Sequence, residues 1–268
     1  MRPDAMRHLC LAPALALALT LTLATGCAST GPSASPGADA AAASHSAMSN
    51  KGQANLSLAQ NYLAAGQLEY AMDRANRALR SDPNSADVQL VLGMIRQRLD
   101  DAARAGEHFA RAAKLAPDAG HVLNVYAIWL CQHEKAGEAD ALFARAVKDP
   151  FFKAKESAYF NAGKCALQVG QADKAAAYFR NGLELAPENK LLLVQMAEVQ
   201  LRRGDYMSAR AFYQRREALG APSADLLELA ARIEDAAGDR AAAARYRQRA
   251  RDQFPAQTPP ATEGPGQP

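Results

Sequence analysis

The sequence predicts an all-α fold, a right-handed solenoid of about six paired-helix units, and three observations carry that expectation. First, 62 of the 268 residues are alanine and only 6% are aromatic, a composition for closely approached helices rather than strands. Second, prolines fall at Pro83, Pro117, Pro187 and Pro255, separated by one, two and two periods of about 34 residues, the middle interval carrying two extra. Third, small residues recur in register between them. A period of this length means one supersecondary unit stacked on copies of itself. An all-β fold is excluded. The formal charge of +3, with no Lys/Arg run, also argues against a protein that binds nucleic acid by neutralising phosphates.

Taken from the N-terminus, the first element is an address. Residues 1–26 place Arg2 and Arg7 ahead of an apolar run at 9–23, too short and wrongly flanked for a membrane span. Met6 is an alternative start that leaves this reading unchanged. The run ends in Leu23-Ala24-Thr25-Gly26-Cys27, which resembles a bacterial lipobox. The resemblance implies a lipidated Cys27 as the mature N-terminus. With Ala rather than Asp at position 28, it implies the periplasmic face of the outer membrane. Several acyl chains anchor stably, so the membrane is reached through the lipid anchor only. Residues 27–51 continue as Ala, Ser, Gly and Pro with nothing large to bury, a disordered tether reaching about 25–30 Å. Residues 258–268 form a similar tail.

Residues 52–257 hold the six units, whose registers start near Gly52, Ala86, Gly120, Glu156, Lys190 and Ala224. Each has a small residue at the eighth position, such as Gly93, Ala127 and Gly163. Each has alanine at the twentieth, such as Ala105 and Ala175. Both mark where paired helices approach most closely. Gly66, Gly170, Gly204 and Gly238 occupy the fifteenth, where the chain turns and a left-handed residue is useful. Asp100 and Glu134 replace that glycine in units two and three, so those turns are less well specified. Phe109, Phe143, Phe179 and Tyr213 stand at the twenty-fourth and wedge helices apart. Ala75 and Arg247 replace the wedge in the end units, which have one neighbour each. This is the tetratricopeptide pattern.

A narrower resemblance lies around the two-residue insertion at Lys148-Asp149-Pro150-Phe151-Phe152. Together with Asn124-Val125-Tyr126, Leu130-Cys131, Asn161-Ala162-Gly163-Lys164-Cys165 and the ending Arg232-Ile233-Glu234, it is similar to the PilW/PilF family of type IV pilus biogenesis lipoproteins. The likeness implies a pilotin, which brings a secretin to the outer membrane and promotes its multimerisation. The alternative is an adaptor lipoprotein for another envelope machine, either outer-membrane protein assembly or peptidoglycan enzymes. Cys131 and Cys165 sit on the first helices of units three and four. They are either a disulfide, which export and the family resemblance favour, or two reduced, buried small groups.

Chemistry finds no constellation. His133-Glu134 opens a zinc-helix pattern, but the second histidine it needs four residues after the first is Gly137. Cys-x-x-Cys, Gly-x-Ser-x-Gly and phosphate-cradling loops are absent from the sequence. The chain is expected to be no enzyme, with no cofactor, metal site or small-molecule substrate. What remains is the concave face of the first helices. Leu56, Gln60, Leu63, Leu90, Met94, Asn124 and Ile128 line its N-terminal half, apolar groups among amides suited to an extended or helical peptide. The alternative is that these side chains pack against the groove's own walls or the tether. As groove residues they are expected to contribute little to packing between helices. The same face of units five and six is charged and is expected to be solvated. A carboxylate clamp would need Lys and Asn where Leu56 and Gln60, or Leu90 and Met94, stand.

Overall fold

The computed structural model describes residues 48–255. The segments expected to be leader and tail, Cys27 and nearly all of the expected tether lie outside the described residues. Twelve α-helices and no strand occur among the described residues, as six consecutive pairs forming a tetratricopeptide solenoid. They are α1 (Asn50–Ala64) with α2 (Leu68–Ser81), α3 (Ala86–Arg98) with α4 (Ala102–Leu115), and α5 (Gly120–Gln132) with α6 (Ala136–Ala146). Then come α7 (Lys155–Gln168) with α8 (Ala172–Leu185), α9 (Lys190–Arg202) with α10 (Tyr206–Glu217), and α11 (Ala224–Ala236) with α12 (Arg240–Gln253). Each helix packs most heavily on its own partner and then on the next unit. First helices of successive units also touch through units one to four, and again between five and six.

Helix starts are set by side chains. Ser49, Ser85 and Asn189 cap first helices, while Asp101, Asp205 and Asp239 cap second helices, each accepting from a backbone N–H two or three residues on. Each such cap contributes about 1 kcal/mol. Helix α5 has Ala119 at this place and no cap of its own. The insertion supplies one from 29 residues away. Asp149 Oδ2 accepts from Gly120 N at 2.8 Å, while Oδ1 accepts from Phe151 N at 2.8 Å. The Gly120 amide holds the Asp149 carboxyl below the usual carboxylate range. Phe152 then lies against Gly120, and Phe151 is left 87% exposed.

The small eighth residue and the bulky twenty-fourth prove to be one device. A Cβ on Gly93 would stand 2.6 Å from the Phe109 ring, and one on Gly163 would stand 2.3 Å from Phe179. Both rings are fully buried. Glycine is therefore required there for room, not for backbone freedom. Unit six lacks the ring, and Arg247 instead ion-pairs with Asp235 and Glu228 on α11.

All six turns inside the units are left-handed, including those without glycine. Asp100 has φ 56° and Glu134 φ 61°, beside 73–86° at the four glycines. The flanking helices impose the conformation whatever residue stands there, at about 1–2 kcal/mol for an L side chain. Glu134→Gly is therefore expected to raise stability by roughly 0.5–1 kcal/mol. The relief of strain exceeds the extra chain entropy that glycine loses on folding. Denaturant midpoints measure it, and a fall in stability contradicts the account.

The N-terminal end is pinned. Ser49 donates from its amide to Asp82 Oδ1 at 3.0 Å and from its hydroxyl to Asp82 Oδ2 at 2.9 Å. Met48 packs on the core of units one and two. Asp82 belongs to the loop between those units, so the chain enters the solenoid at their junction.

Candidate peptide-binding groove

Two recesses border the first helices of units one to three, one at their N-terminal ends against the loops between units and one along the faces of α1 and α3. One, about 440 Å³, is bordered by Met48, Gln53, Ser85, Asp87, Ala119 and His121. The other, about 270 Å³, is bordered by Gln60, Leu63, Leu90, Met94, Arg98 and His121, with Asp87 shared by both. The apolar floor comes from positions that helical spacing turns to one side, and the polar rim from the residues between them.

Across the groove, side chains from neighbouring first helices meet in pairs one unit apart. His121 Nε2 lies 2.9 Å from Asp87 Oδ1. Gln97 donates to Gln132 at 2.8 Å, and Asn161 donates to Asn124 at 3.4 Å. The hydrogen bond to Asp87 raises the His121 pKa above the ordinary histidine range. Protonation of His121 thus strengthens this link between units two and three at low pH, and the gain fades as pH rises through that elevated pKa. Burial pushes His108 the other way. Its Nδ1 lies 2.8 Å from Oε1 of the buried Gln89, between the helices of unit two.

Further along the same row, the structure sets Cys131 and Cys165 sulfur to sulfur. Their Cα atoms are 5.8 Å apart, a separation a disulfide spans without moving the backbone.

The residues read as groove lining divide into two sets. Gln60, Leu63, Leu90 and Met94 come together around the smaller recess. Met94 is 38% exposed, whereas Leu63 and Leu90 are 6% and 8% exposed and show only an edge to it. Leu56, at 3%, packs among Ala59, Ala75, Leu92 and Ile95 and does not border either recess. Leu90 packs with Ala105 and Phe109. The expectation that such residues matter little to packing between helices fails for these three leucines, because each is buried in a core cluster between helices, Leu56 without reaching the groove at all. Asn124 and Ile128 are half-buried on α5, Ile128 against the cluster that includes Phe143 and Cys165.

Met48, assigned by composition to the tether, is instead part of the groove wall. The signal for it was the Ser49 cap: an apolar residue just before a helix cap packs back on the first turns. Among the described residues no group of three or more His, Cys, Asp or Glu side chains is placed to hold a metal, and no helix is long and apolar enough to cross a membrane.

Residues 156–189, which contain α8 and nearly all of α7, match the tetratricopeptide repeat family. The chain is homologous to the type IV pilus assembly protein PilF of Pseudomonas aeruginosa, 28% identical over 193 residues, which are 72% of this chain and 77% of that protein. Its structure matches that of Pseudomonas aeruginosa PilF with TM-score 0.68 and 26% identity, covering 77% of this chain and 93% of that one. It matches PilW, a widely conserved type IV pilus biogenesis factor, with TM-score 0.71 and 26% identity over 78% and 96% of the two chains.

Proposed function

Because this chain is a PilF/PilW-like tetratricopeptide-repeat protein, we propose that it serves type IV pilus biogenesis as an outer-membrane lipoprotein that binds the secretin and promotes its multimerisation. The observation that carries the binding half is the recess over Leu63, Leu90 and Met94, apolar at its floor and rimmed by Gln60, Arg98, Asp87 and His121. Such a site takes an apolar side chain of a peptide and leaves polar groups for its backbone. The polarizable, flexible Met94 adapts to the shape of that side chain. Anchoring through Cys27 keeps the groove and its partner on one membrane, where effective concentration replaces intrinsic affinity. In this reading the exported chain carries the Cys131–Cys165 bridge. Its work is to hold and place another protein, with no chemical step.

The test is affinity capture from outer membranes with the native anchor, which is expected to bring down an SDS-resistant secretin multimer. With Cys27→Ala the protein is expected to leave the outer-membrane fraction and the capture to fail. Wild-type protein that recovers proteins of another envelope machine and no secretin overturns the reading.

A second arm maps the site. Met94→Glu puts a charge where about 1.5–3 kcal/mol of apolar burial is expected, so capture falls at least about tenfold with the melting curve unchanged. Leu90→Glu is expected to lower stability as well, since Leu90 is packed against Phe109. Unchanged capture by Met94→Glu removes the recess from the interface.

A further inference from the structure

Charge is not spread evenly along the second helices. In α2, α4, α6 and α8 together, nine Lys and Arg stand against seven Asp and Glu. In α10 and α12, eight arginines stand against Glu217 and Asp252. Five of the eight lie in the last helix, whose outer side has no following unit among the described residues. Arg210, Arg247 and Arg249 are ion-paired with carboxylates. Arg215, Arg216, Arg240, Arg245 and Arg251 have no carboxylate partner among the described residues. Arg215 and Arg216 donate to backbone carbonyls, and Arg251 donates to Gln248. Their positive charges are therefore uncompensated.

Geometry gathers this charge. The Arg249–Glu217 ion pair, 2.6 Å, joins the C-terminal turns of α12 and α10, so the arginines of the two helices gather at one end of the solenoid. Beside it a recess of about 380 Å³ opens between the two helices, bordered by Arg245, Arg249, Gln214, Tyr246, Asp239 and the Arg210–Glu234 pair.

We infer that the outer face of α10 and α12 docks onto anionic lipid headgroups. The complementarity is one of charge and of guanidinium geometry. Guanidinium forks meet phosphate oxygens in pairs, which ammonium groups do not, and the cations of these two helices are arginine without exception. The exposed side of α12 carries Arg240, Ala244, Gln248 and Arg251 and no large apolar group, so it suits a charged surface rather than the interior of a bilayer or an apolar partner. Clusters of four to eight basic residues on a helix recognise anionic leaflets, at roughly 1 kcal/mol per residue. The inference rests on the proposed anchoring only in that the anchor puts a bilayer within reach.

Sedimentation of the full chain carrying Cys27→Ala with phosphatidylglycerol-containing and pure phosphatidylcholine vesicles tests it. Arg2→Gln and Arg7→Gln are added to every protein compared, so that the leader carries no arginine of its own and the difference between the vesicles reads the arginine face. Partition onto the anionic vesicles is expected to exceed that onto neutral ones by at least about tenfold at low salt, and to lose that excess at high salt. The triple variant Arg240→Glu/Arg245→Glu/Arg251→Glu is expected to abolish the preference, with the neutral triple Gln variant intermediate and both melting like the parent. Equal partition onto both vesicles, or a preference that survives charge reversal, overturns the inference. So does an arginine face whose reversal lowers only capture of an acidic protein. Vesicle preference without secretin capture sinks the proposed function and leaves this inference standing.

Discussion

Phe179→Ala is expected to cost about 3–5 kcal/mol, the range for emptying a fully buried aromatic site, and to lower the melting temperature by on the order of 10 °C. Phe179 is 0% exposed, its ring lies against Gly163 on the facing helix, and it packs in one cluster with Ala166, Leu183 and Leu192, so its removal opens a cavity in the core of unit four. Gly163→Ala attacks the same contact from the other side. Its Cβ would sit 2.3 Å from a ring carbon, so about 1–3 kcal/mol is lost to overpacking. The diagnostic is their combination. In a Phe179→Leu background the added methyl meets a narrower side chain, and Gly163→Ala is expected to cost less than it does alone. Denaturant titrations of the four proteins give the coupling. Simple additivity means that the ring and the glycine do not form one packing unit.

Replacing both cysteines, Cys131→Ser with Cys165→Ser, is expected to cost about 3–4 kcal/mol by the chain-entropy account of a 34-residue loop, while far-ultraviolet dichroism stays helical. The oxidised protein should run faster on a non-reducing gel than after reduction. Free thiols at both positions in protein recovered from the periplasmic side would remove the bridge from the argument. The loss should concentrate in units three and four, since each unit of a solenoid contacts only its neighbours. Hydrogen exchange localises it.

How much of this was legible beforehand follows from what each residue needs to be recognised. The repeat could be read because Gly93, Gly163, Phe109 and Phe179 obey a packing rule that returns at a fixed interval, so each unit checks the others. Helix starts were legible for the same reason: α3, α5, α9 and α11 begin at the residues where the repeat registers begin. The turns at Asp100 and Glu134 were less legible, because a residue-by-residue reading looks for glycine while the helices on either side dictate φ. The groove was read from positions, and position alone could not say that Leu56 and Leu90 are walled in by the facing helices. That depends on the volume of neighbours on other helices, such as Ile95 for Leu56 and Phe109 for Leu90. Asp149 as a cap for a helix 29 residues earlier in the chain leaves no local signal at all. The charge of α10 and α12 was countable in the sequence. That five of the eight arginines lack a carboxylate partner emerged once ion pairs could be drawn.

The pinning of Ser49 to Asp82 bears on how the molecule carries load. A pull on the chain ahead of Met48 does not first act on α1 as a free end to be unwound. It is delivered through two hydrogen bonds to the loop between units one and two. That loop is braced by Ser85, which caps α3 and donates to Met48 Sδ. Tension is thus shared between the start of α1 and the loop that joins α2 to α3, whose contacts with Met48 and Ser49 must be broken before the first turn of α1 can be drawn out. The first repeat, which has a neighbour on one side only, is thereby spared the peeling to which its terminal position would expose it.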